Sequence, residues 1–471
     1  MTEHEADVTA ALRAAREVAG AWRDTPVRAR LRVIRHVRQA VADRAGEIAA
    51  SLAYRRPVAD TIAAEVLPLV EAARFLERNA ASLLAPRRLR GGRPLWLAGV
   101  GAEIRREPIG VVLVLGPSNY PLFLPGAQIL QALAAGNAVC IKPAPGCAAP
   151  LLALAGMLTA AGLPAHTFQV LPDSAAAGVA ASAAGFDCII LTGSATTGRQ
   201  VLASAADRLT PCIMELSGND AVFVLPDADL GLVADCVAYG LRLNGGATCI
   251  APRRVFVPAT LAAELERLLL DRLAPLPSFP VPRHVRDRVI VLLDEAAAAG
   301  ARISARPDAA GVPPIVVAGA APMLGLLQED VFAPVVSLVP VMDLETALAL
   351  AAYCPYALGA SVFGPAAEAQ ALAARVNAGS VVINDLIVPT ADPRLPFGGR
   401  GQSGFGVTRG AEGLLALTNV KTISRRHGRF RPHLAPARAE DEVRLASLLQ
   451  GLHGTPARRM RAWLRLMRLG R

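Results

Sequence analysis

The sequence predicts an α/β fold with a Rossmann-type domain of βαβ units, a second α/β domain and a small β element. Three observations point there. Short apolar runs recur from residue 110 with room for a helix between them: Gly110-Val-Val-Leu-Val-Leu-Gly116, Ala138-Val-Cys-Ile141, Phe168-Gln-Val-Leu171 and Cys188-Ile-Ile-Leu191. Runs without polar alternation suit strands of a parallel sheet covered on both faces. Glycine or polar residues follow each run, where open α/β sheets bind ligands. Finally, 471 residues are too many for one ordinary core, so two or more domains are expected.

Taken in order, residues 5–85 place apolar positions at helical period and read as several helices. The segment 97–109 (LAGVGAEIRREPI) reads as a strand pair with polar edges. Helices are expected over 122–135, 148–162 and 175–184 between the four strands, and over Arg199–Asp207 after the last. A second βα series runs from 220 to 405, punctuated by glycine-rich segments at 357–364 and 397–406. The expected division is 1–90 with 111–218 as one domain and 219–405 as the second. Residues 91–110 with 406–424 form the small strand element, and 425–471 a tail.

A hydrophobic content of 53% with 19% charge excludes a disordered chain. No apolar stretch reaches the roughly 18 residues of a membrane span, and the amino terminus (MTEHEADVTAALRAAREV) lacks the apolar centre of a signal peptide. Seven cysteines without Cys-x-x-Cys spacing suggest reduced thiols in a cytoplasm, with no disulfide framework and no metal site. Only Lys142 and Lys421 are lysine among 49 basic residues. A lysine surviving such an arginine bias is a candidate for needing a compact ammonium. Of the net charge of +10, residues 425–471 carry +9, from 12 arginines against Glu440, Asp441 and Glu442. The basicity therefore belongs to the tail.

The chemistry-bearing residues cluster at turns. Cys249 lies in Asn244-Gly-Gly-Ala-Thr-Cys-Ile-Ala-Pro252, where a glycine-rich turn presents the sulfur without steric cover. Glu215, 34 residues earlier in Met-Glu-Leu-Ser-Gly, is a carboxylate able to serve a covalent intermediate on that sulfur as base. In Thr192-Gly-Ser-Ala-Thr-Thr-Gly198, Gly193 and Gly198 permit a tight turn and Ser194 can cap the next helix, whose amino terminus can face a pyrophosphate. Strand–turn–helix segments of this kind are common, and this is not Gly-x-Gly-x-x-Gly. Lys142-Pro143 ends the neighbouring strand, in reach of ribose hydroxyls or a phosphate. Asn119, in Gly116-Pro-Ser-Asn-Tyr-Pro121, either donates its amide to an oxyanion or makes an ordinary Asx turn. Glu329-Asp-Val-Phe-Ala-Pro334 is a carboxylate pair before an aromatic, or simply a strand-to-turn transition. Pro396–Gly404 reads as a flexible glycine loop.

Together these residues resemble the aldehyde dehydrogenase superfamily from about residue 10 to 424. The pieces EPIGVVLVLGPSNYPLF, GNAVCIKP, LTGSATTG, MELSGND, DADL, NGGATC, EDVFAPVV, NAGSVVIND, PFGGRGQSGFG and NVKTIS occur in the family's order. The resemblance implies that Cys249 attacks an aldehyde, and that Asn119 and the Cys249 N–H hold the oxyanion. Hydride then passes to a nicotinamide, and Glu215 activates water to release the acid from the thioester. It also implies cofactor contacts at Lys142, Pro145, Thr192, Gly193, Ser194, Gly198, Leu216, Asp330 and Phe332, with Asp330 reaching the nicotinamide ribose. NAD-preferring members usually carry a carboxylate three residues after the lysine. Pro145 stands there, so NADP is expected to be used alongside NAD. The chain departs from the family pattern at Leu191, Ser217, Asn219, Ala247, Asp330 and Ala333. A homodimer or homotetramer is implied. A coenzyme A-acylating enzyme is the alternative, against which Glu215 argues, and a catalytically weak membrane-associated scaffold is a third reading.

In the tail, Leu445, Leu448, Leu449 and Leu452 fall at i, i+3, i+4 and i+7, and Met460, Trp463, Leu464 and Met467 repeat the stripe among arginines. This pattern fits a helix docked on its own subunit or on a partner copy. It also fits a basic amphipathic surface over 440–471 lying on the inner face of an anionic membrane, which would favour a hydrophobic aldehyde. Nucleic-acid binding is not expected.

Overall fold

The four apolar runs after Gly110 become adjacent strands of one sheet in a computed structural model of the chain, which describes residues 3–52, 56–94, 97–319, 321, 323–429 and 431–469. The order across this sheet is Gly404–Phe405, Cys212–Leu216, Cys188–Gly193, Val111–Leu115, Ala138–Lys142 and Phe168–Val170. All pairings are parallel except that of the short Gly404–Phe405 edge. Successive side chains of a strand face opposite sides. Val112 and Val114 accordingly join one core with helices Val27–Asp43, Leu67–Leu83, Phe123–Ala135 and Ala148–Ala160. Val111, Leu113 and Leu115 join another with Glu3–Asp24, Ala175–Ala183 and Ala195–Ala206. All thirteen residues of Phe123–Ala135 are buried, the apolar ones in the core and Gln128 and Gln131 by donating to the Thr192 hydroxyl and the Gly410 carbonyl.

Strand order reverses between Val111–Leu115 and Cys188–Gly193. The loops at their carboxyl ends, Gly116–Pro121 and Gly193–Ala195, therefore flank a topological switch point, where doubly wound sheets bind ligands.

The second βα series forms a seven-stranded sheet. Its order is Arg302–Ile303, Ile315–Ala318, Val335–Val341, Pro252–Pro258, Asp220–Val224, Gly359–Phe363 and Ser380–Ile383, parallel but for the first strand. Only Ser217–Asn219 separates the last strand position of the first sheet from this one.

Two expectations are corrected. Val100–Pro108 is one nine-residue strand, not a strand pair, because nothing in Glu103-Ile-Arg-Arg-Glu107 favours a turn. Its antiparallel partner is Arg87–Leu89, and Thr418–Arg426 completes a three-stranded sheet. The glycine loop before Gly404 is not free. Arg400–Gly401 pairs with Tyr356–Ala357, and Gly404–Phe405 with the Glu215 strand.

The chain divides into a large unit, reaching to Pro86 and spanning Arg105–Lys421, and a small one of Arg87–Ile104 and the residues from Thr422 onward. In the small unit, helices Ala439–His453 and Pro456–Leu469 pack on each other through small residues. Ser447, Gly451 and Ala462 are buried, and the Trp463 indole N–H donates to the Gly451 carbonyl at 3.1 Å. Leu445, Leu449, Met460, Leu464 and Met467 remain exposed. Among the described residues no helix is long and apolar enough to cross a membrane, and no group of three His, Cys, Asp or Glu could hold a metal ion.

Candidate active site

Glu215 ends the strand Cys212–Leu216 and is buried. Three residues on, Gly218 admits the turn that bears Cys249: a Cβ there would lie 2.5 Å from the Cys249 carbonyl oxygen, so only glycine brings Cys249 beside this strand end. The Cys249 turn takes left-handed backbone at Asn244, Gly245 and Gly246, with φ of 54, 59 and 74°. A side chain at 246 would collide with the Ala333 carbonyl. Arg253 fastens this approach, donating to the Gly246 carbonyl at 2.6 Å and to the Ala333 carbonyl.

Asn119 reaches the same turn from the switch-point loop. Its amide donates to the Ala247 carbonyl at 3.1 Å, and Asn244 donates to the carbonyls of Asn119 (3.2 Å) and Ala247 (3.0 Å). The Tyr120 hydroxyl meets the Thr248 hydroxyl at 2.7 Å. An amide has two N–H donors, so Asn119 can keep this bond and still offer one to an oxyanion beside Cys249.

A buried ion pair braces the loop from behind. Glu65 lies in a π-helical turn, Ile62–Val66, a geometry frequent at functional sites. It accepts from the backbone N–H groups of Leu122 (2.8 Å) and Phe123 (2.9 Å) and pairs with Arg56. Arg56 also donates to the Asn119 carbonyl at 3.2 Å and sits 4.9 Å from the Tyr120 ring centre.

Cys249 and Glu215 both line two cavities and so stand in their common wall. One cavity, about 130 Å³, is nearly apolar, walled by Pro68, Tyr120, Phe123, Leu124, Ile250 and Phe397 among others. Its charged lining residues are Glu215 and Arg409. The other, about 660 Å³, continues through Pro117, Thr192 and Gly193 into a cleft of about 560 Å³ at the switch point.

The residues expected to hold a dinucleotide fall mostly along this cleft. Lys142, Pro145, Thr192 and Gly193 line its far part, and Thr192, Gly193, Ser194, Leu216 and Phe332 the part nearer Cys249. No acidic side chain lines the far part. Ser194 caps helix Ala195–Ala206 by accepting from the Thr197 N–H at 3.1 Å. This leaves a helix amino terminus facing the cleft, which suits a pyrophosphate.

Two expected contacts are placed otherwise. Gly198 does not line the cleft: a Cβ there would meet Leu216 at 2.8 Å, so its role is close helix–strand packing. Asp330 does not line it either. It is buried, lies 3.6 Å from Arg253 and accepts from the Phe332 N–H at 3.2 Å, because a charge held inside needs an opposite charge and donors. Glu329, the other carboxylate of that pair, accepts from Arg288 at 3.0 Å.

Charge at Cys249 and Glu215 is dominated by burial. Burial raises the Glu215 carboxyl above its ordinary value, and Arg409 and the Thr408 hydroxyl (3.3 Å from Oε2) act against that. Cys249 is part-exposed and lines both cavities. Burial lifts its thiol well above the ordinary value, Glu215, Asp220 and Asp330 add to the rise, and Arg409 opposes it. A base is therefore needed to draw the proton from this thiol. Of the seven non-glycine residues with positive φ among those described, Asn244, Phe332, Ile387 and Arg409 line these two cavities. Strained backbone thus concentrates at the site. Sequence reasoning missed Arg56, Glu65, Arg253, Thr408 and Arg409; for Arg409 a lone charge among uncharged residues, Val407-Thr408-Arg409-Gly410-Ala411, was the available signal.

Comparison with known proteins agrees with this geometry. Residues 2–423 match the model of the aldehyde dehydrogenase family, so the match stops short of the basic tail. A putative succinate-semialdehyde dehydrogenase [NADP(+)] of Mycobacterium ulcerans is 33% identical over 442 residues, 89% of this chain and 84% of that protein. A 4,4'-diapolycopene aldehyde oxidase of a Methylomonas species is 30% identical over 414 residues, 85% of this chain and 78% of that one. The crystal structure of a Mycobacterium tuberculosis aldehyde dehydrogenase complexed with NAD+ superposes with a TM-score of 0.83 at 28% identity, covering 89% of this chain and 90% of that one. The chain belongs to the aldehyde dehydrogenase family.

Proposed function

We propose that this protein oxidises a long apolar aldehyde to its carboxylic acid with NAD+ or NADP+, through a thioester on Cys249. The observation that carries this reading is the position of Cys249 and Glu215 in the common wall of an apolar cavity and the nucleotide cleft. Glu215, kept proton-hungry by burial, takes the thiol proton, and the sulfur adds to the aldehyde carbon. Asn119 and the Cys249 N–H hold the resulting oxyanion. When bound, the nicotinamide supplies the acceptor for the hydride that leaves that carbon. Glu215 passes the thiol proton to solvent, then takes a proton from water as the water oxygen adds to the thioester; the acid departs as the sulfur is released and takes that proton back. The balance is one aldehyde, one water and one oxidised cofactor giving acid, reduced cofactor and a proton.

Lys142, Thr192, Gly193 and Ser194 would hold the nucleotide. Pro145 and the absence of lining carboxylates in the far cleft leave room for a 2′-phosphate, and the mycobacterial relative is named for NADP(+). The apolar cavity favours a hydrophobic aldehyde, in keeping with the name of the Methylomonas relative. NAD(P)H formation from aldehydes of graded chain length, with C249S as control, tests the reading. The expectation is rising kcat/KM with apolar length and no dependence on coenzyme A. A preference for short charged aldehydes would sink the substrate class, and coenzyme A dependence would favour the acylating alternative.

The tail is proposed to rest on an anionic membrane. Its two helices bury small residues between them and leave Leu445, Leu449, Met460, Leu464 and Met467 outward beside Arg458, Arg461, Arg465 and Arg468. Co-sedimentation with phosphatidylglycerol vesicles should fall when Arg461 and Arg465 become glutamate. Undiminished binding would reject it. The chain is further proposed to act as a homodimer or homotetramer, since strand Thr418–Arg426 is a sheet edge with Val420 and Ile423 exposed. Light scattering reads the mass directly.

A further inference from the structure

We propose that Arg409 is the positioning residue that holds negative charge on the Cys249–Glu215 pair, acting as its counter-charge through the wall of the apolar cavity. This rests on the reading of Cys249 and Glu215 as the reacting groups.

The geometry places Arg409 there by four independent restraints. Its neighbour Thr408 donates to Glu215 Oε2 at 3.3 Å, and its own backbone N–H donates to Gln131 at 3.0 Å. Its backbone is left-handed, with φ of 61°, a conformation a long side chain adopts only when its surroundings impose it. Its guanidinium donates to the Thr390 carbonyl at 2.6 Å and lies over the Phe397 ring, 4.5 Å from its centre, with Phe123 at 5.6 Å. Phe397 belongs to the small cluster against which Cys249 itself packs. The side chain is buried, its Nε has no hydrogen-bond partner, and neither has Glu215 Oε1.

A guanidinium without a carboxylate in contact is costly at such a position unless nearby negative charge compensates it. The charged groups that act on Cys249 are Glu215, Asp220 and Asp330, which disfavour a thiolate, and Arg409, which favours it; Arg253 and Tyr120 also lie within the influence of the Cys249 charge. Arg253 is occupied by Asp330 and by the carbonyls of Gly246 and Ala333, and Arg254 by the carbonyls of Asn219 and Ala351. That leaves Arg409 as the counter-charge for the single proton exchanged between sulfur and carboxylate. Both Cys249 and Glu215 in turn favour the charged form of Arg409. The aromatic rings hold the cation without neutralising it.

The test is the pH dependence of iodoacetamide alkylation of Cys249 in the full chain, which reads the thiolate fraction without turnover. R409Q should slow alkylation about tenfold or more at neutral pH, since one unit of thiol pKa is a factor of ten in thiolate. R409K, which keeps the charge, should restore most of the rate. An unchanged profile in folded R409Q overturns the proposal. So does a change confined to KM for carboxylate-bearing aldehydes, which would make Arg409 a substrate anchor. E215Q gives a second reading that survives any folding failure at 409. Freed from its competing carboxylate, Arg409 should bring the alkylation midpoint down below that of the native protein, and a midpoint that stays or rises overturns the idea. Loss of alkylation in C249S with turnover retained would instead refute the underlying assignment of the nucleophile.

Discussion

Replacing Glu65 by glutamine should cost this protein about 2–4 kcal/mol, although residue 65 touches neither cavity. The native carboxylate is wholly buried, and its partner Arg56 is 4% exposed. Removing one member of such a pair leaves an uncompensated buried charge, worth about 3–5 kcal/mol. Glutamine Oε1 can still accept from Leu122 and Phe123, so those two bonds weaken without being orphaned. The Asn119 carbonyl and the Tyr120 face continue to solvate Arg56 and return about 1–2 kcal/mol. Urea unfolding followed by circular dichroism measures the loss, with the midpoint as the safer quantity in a multidomain chain. Removing both charges, in R56M/E65Q, should recover more than half of it, because the desolvation cost then disappears with the pair. Turnover of E65Q should fall at least tenfold as the Asn119 loop loosens. A loss under about 0.5 kcal/mol, or a double variant worse than E65Q, would refute the claim that this pair is a charge-compensated brace.

Other expectations follow from the same geometry. N119A should lower kcat by roughly 10² to 10³, the effect of deleting an oxyanion donor, with cofactor binding unchanged by fluorescence titration. Because burial raises Glu215, activity should fall as pH drops through a value above the ordinary carboxylate range, and T408V, which removes a bond favouring the ionised form, should move that limb further up. Burial pushes Asp330 up to about 6 and Asp220 to about 7, so their contribution to stability is full below 3.8 and is lost as pH rises through 6 and 7; urea midpoints should decline across that window, and less so in D330N. P145E should shift the NAD:NADP ratio of kcat/KM towards NAD by tenfold or more, through repulsion of a 2′-phosphate.

What the sequence disclosed depended on whether a residue's role is local. Runs such as Val111–Leu115 announce buried parallel strands by themselves, and Ser194 announces a cap from its place before a helix. The trio of Asn119, Glu215 and Cys249 was legible as ordered motifs, and the structure brings all three to one turn. Asp330 and Gly198 were not, because a carboxylate or a glycine at a turn fits a ligand and a neighbour equally well. Only the position of Arg253 and of Leu216 decides. Arg56, Glu65 and Arg409 were invisible for a related reason. Arg56 and Glu65 pair across only nine residues, but the loop they brace is 63 residues from Arg56 and 57 from Glu65, and Arg409 follows Thr408, which bonds Glu215 across 193 residues, so each burial is a tertiary fact.

The turn bearing Cys249 is held by charges that no stability argument would place there. Asp220, Asp330, Arg253 and Arg254 are all buried around it, although apolar replacements for buried ion pairs are often neutral or stabilising. What they secure is position. Arg253 grips the carbonyls of Gly246 and Ala333, and Arg254 those of Asn219 and Ala351, so the left-handed residues Asn244 to Gly246 cannot relax away from Glu215. A thiol lifted in this way resists ionisation, which protects it from chance oxidation at rest. Reactivity then has to be supplied by groups in the cavity wall, and of the charged residues there Glu215 can take the proton and Arg409 can hold the charge that remains.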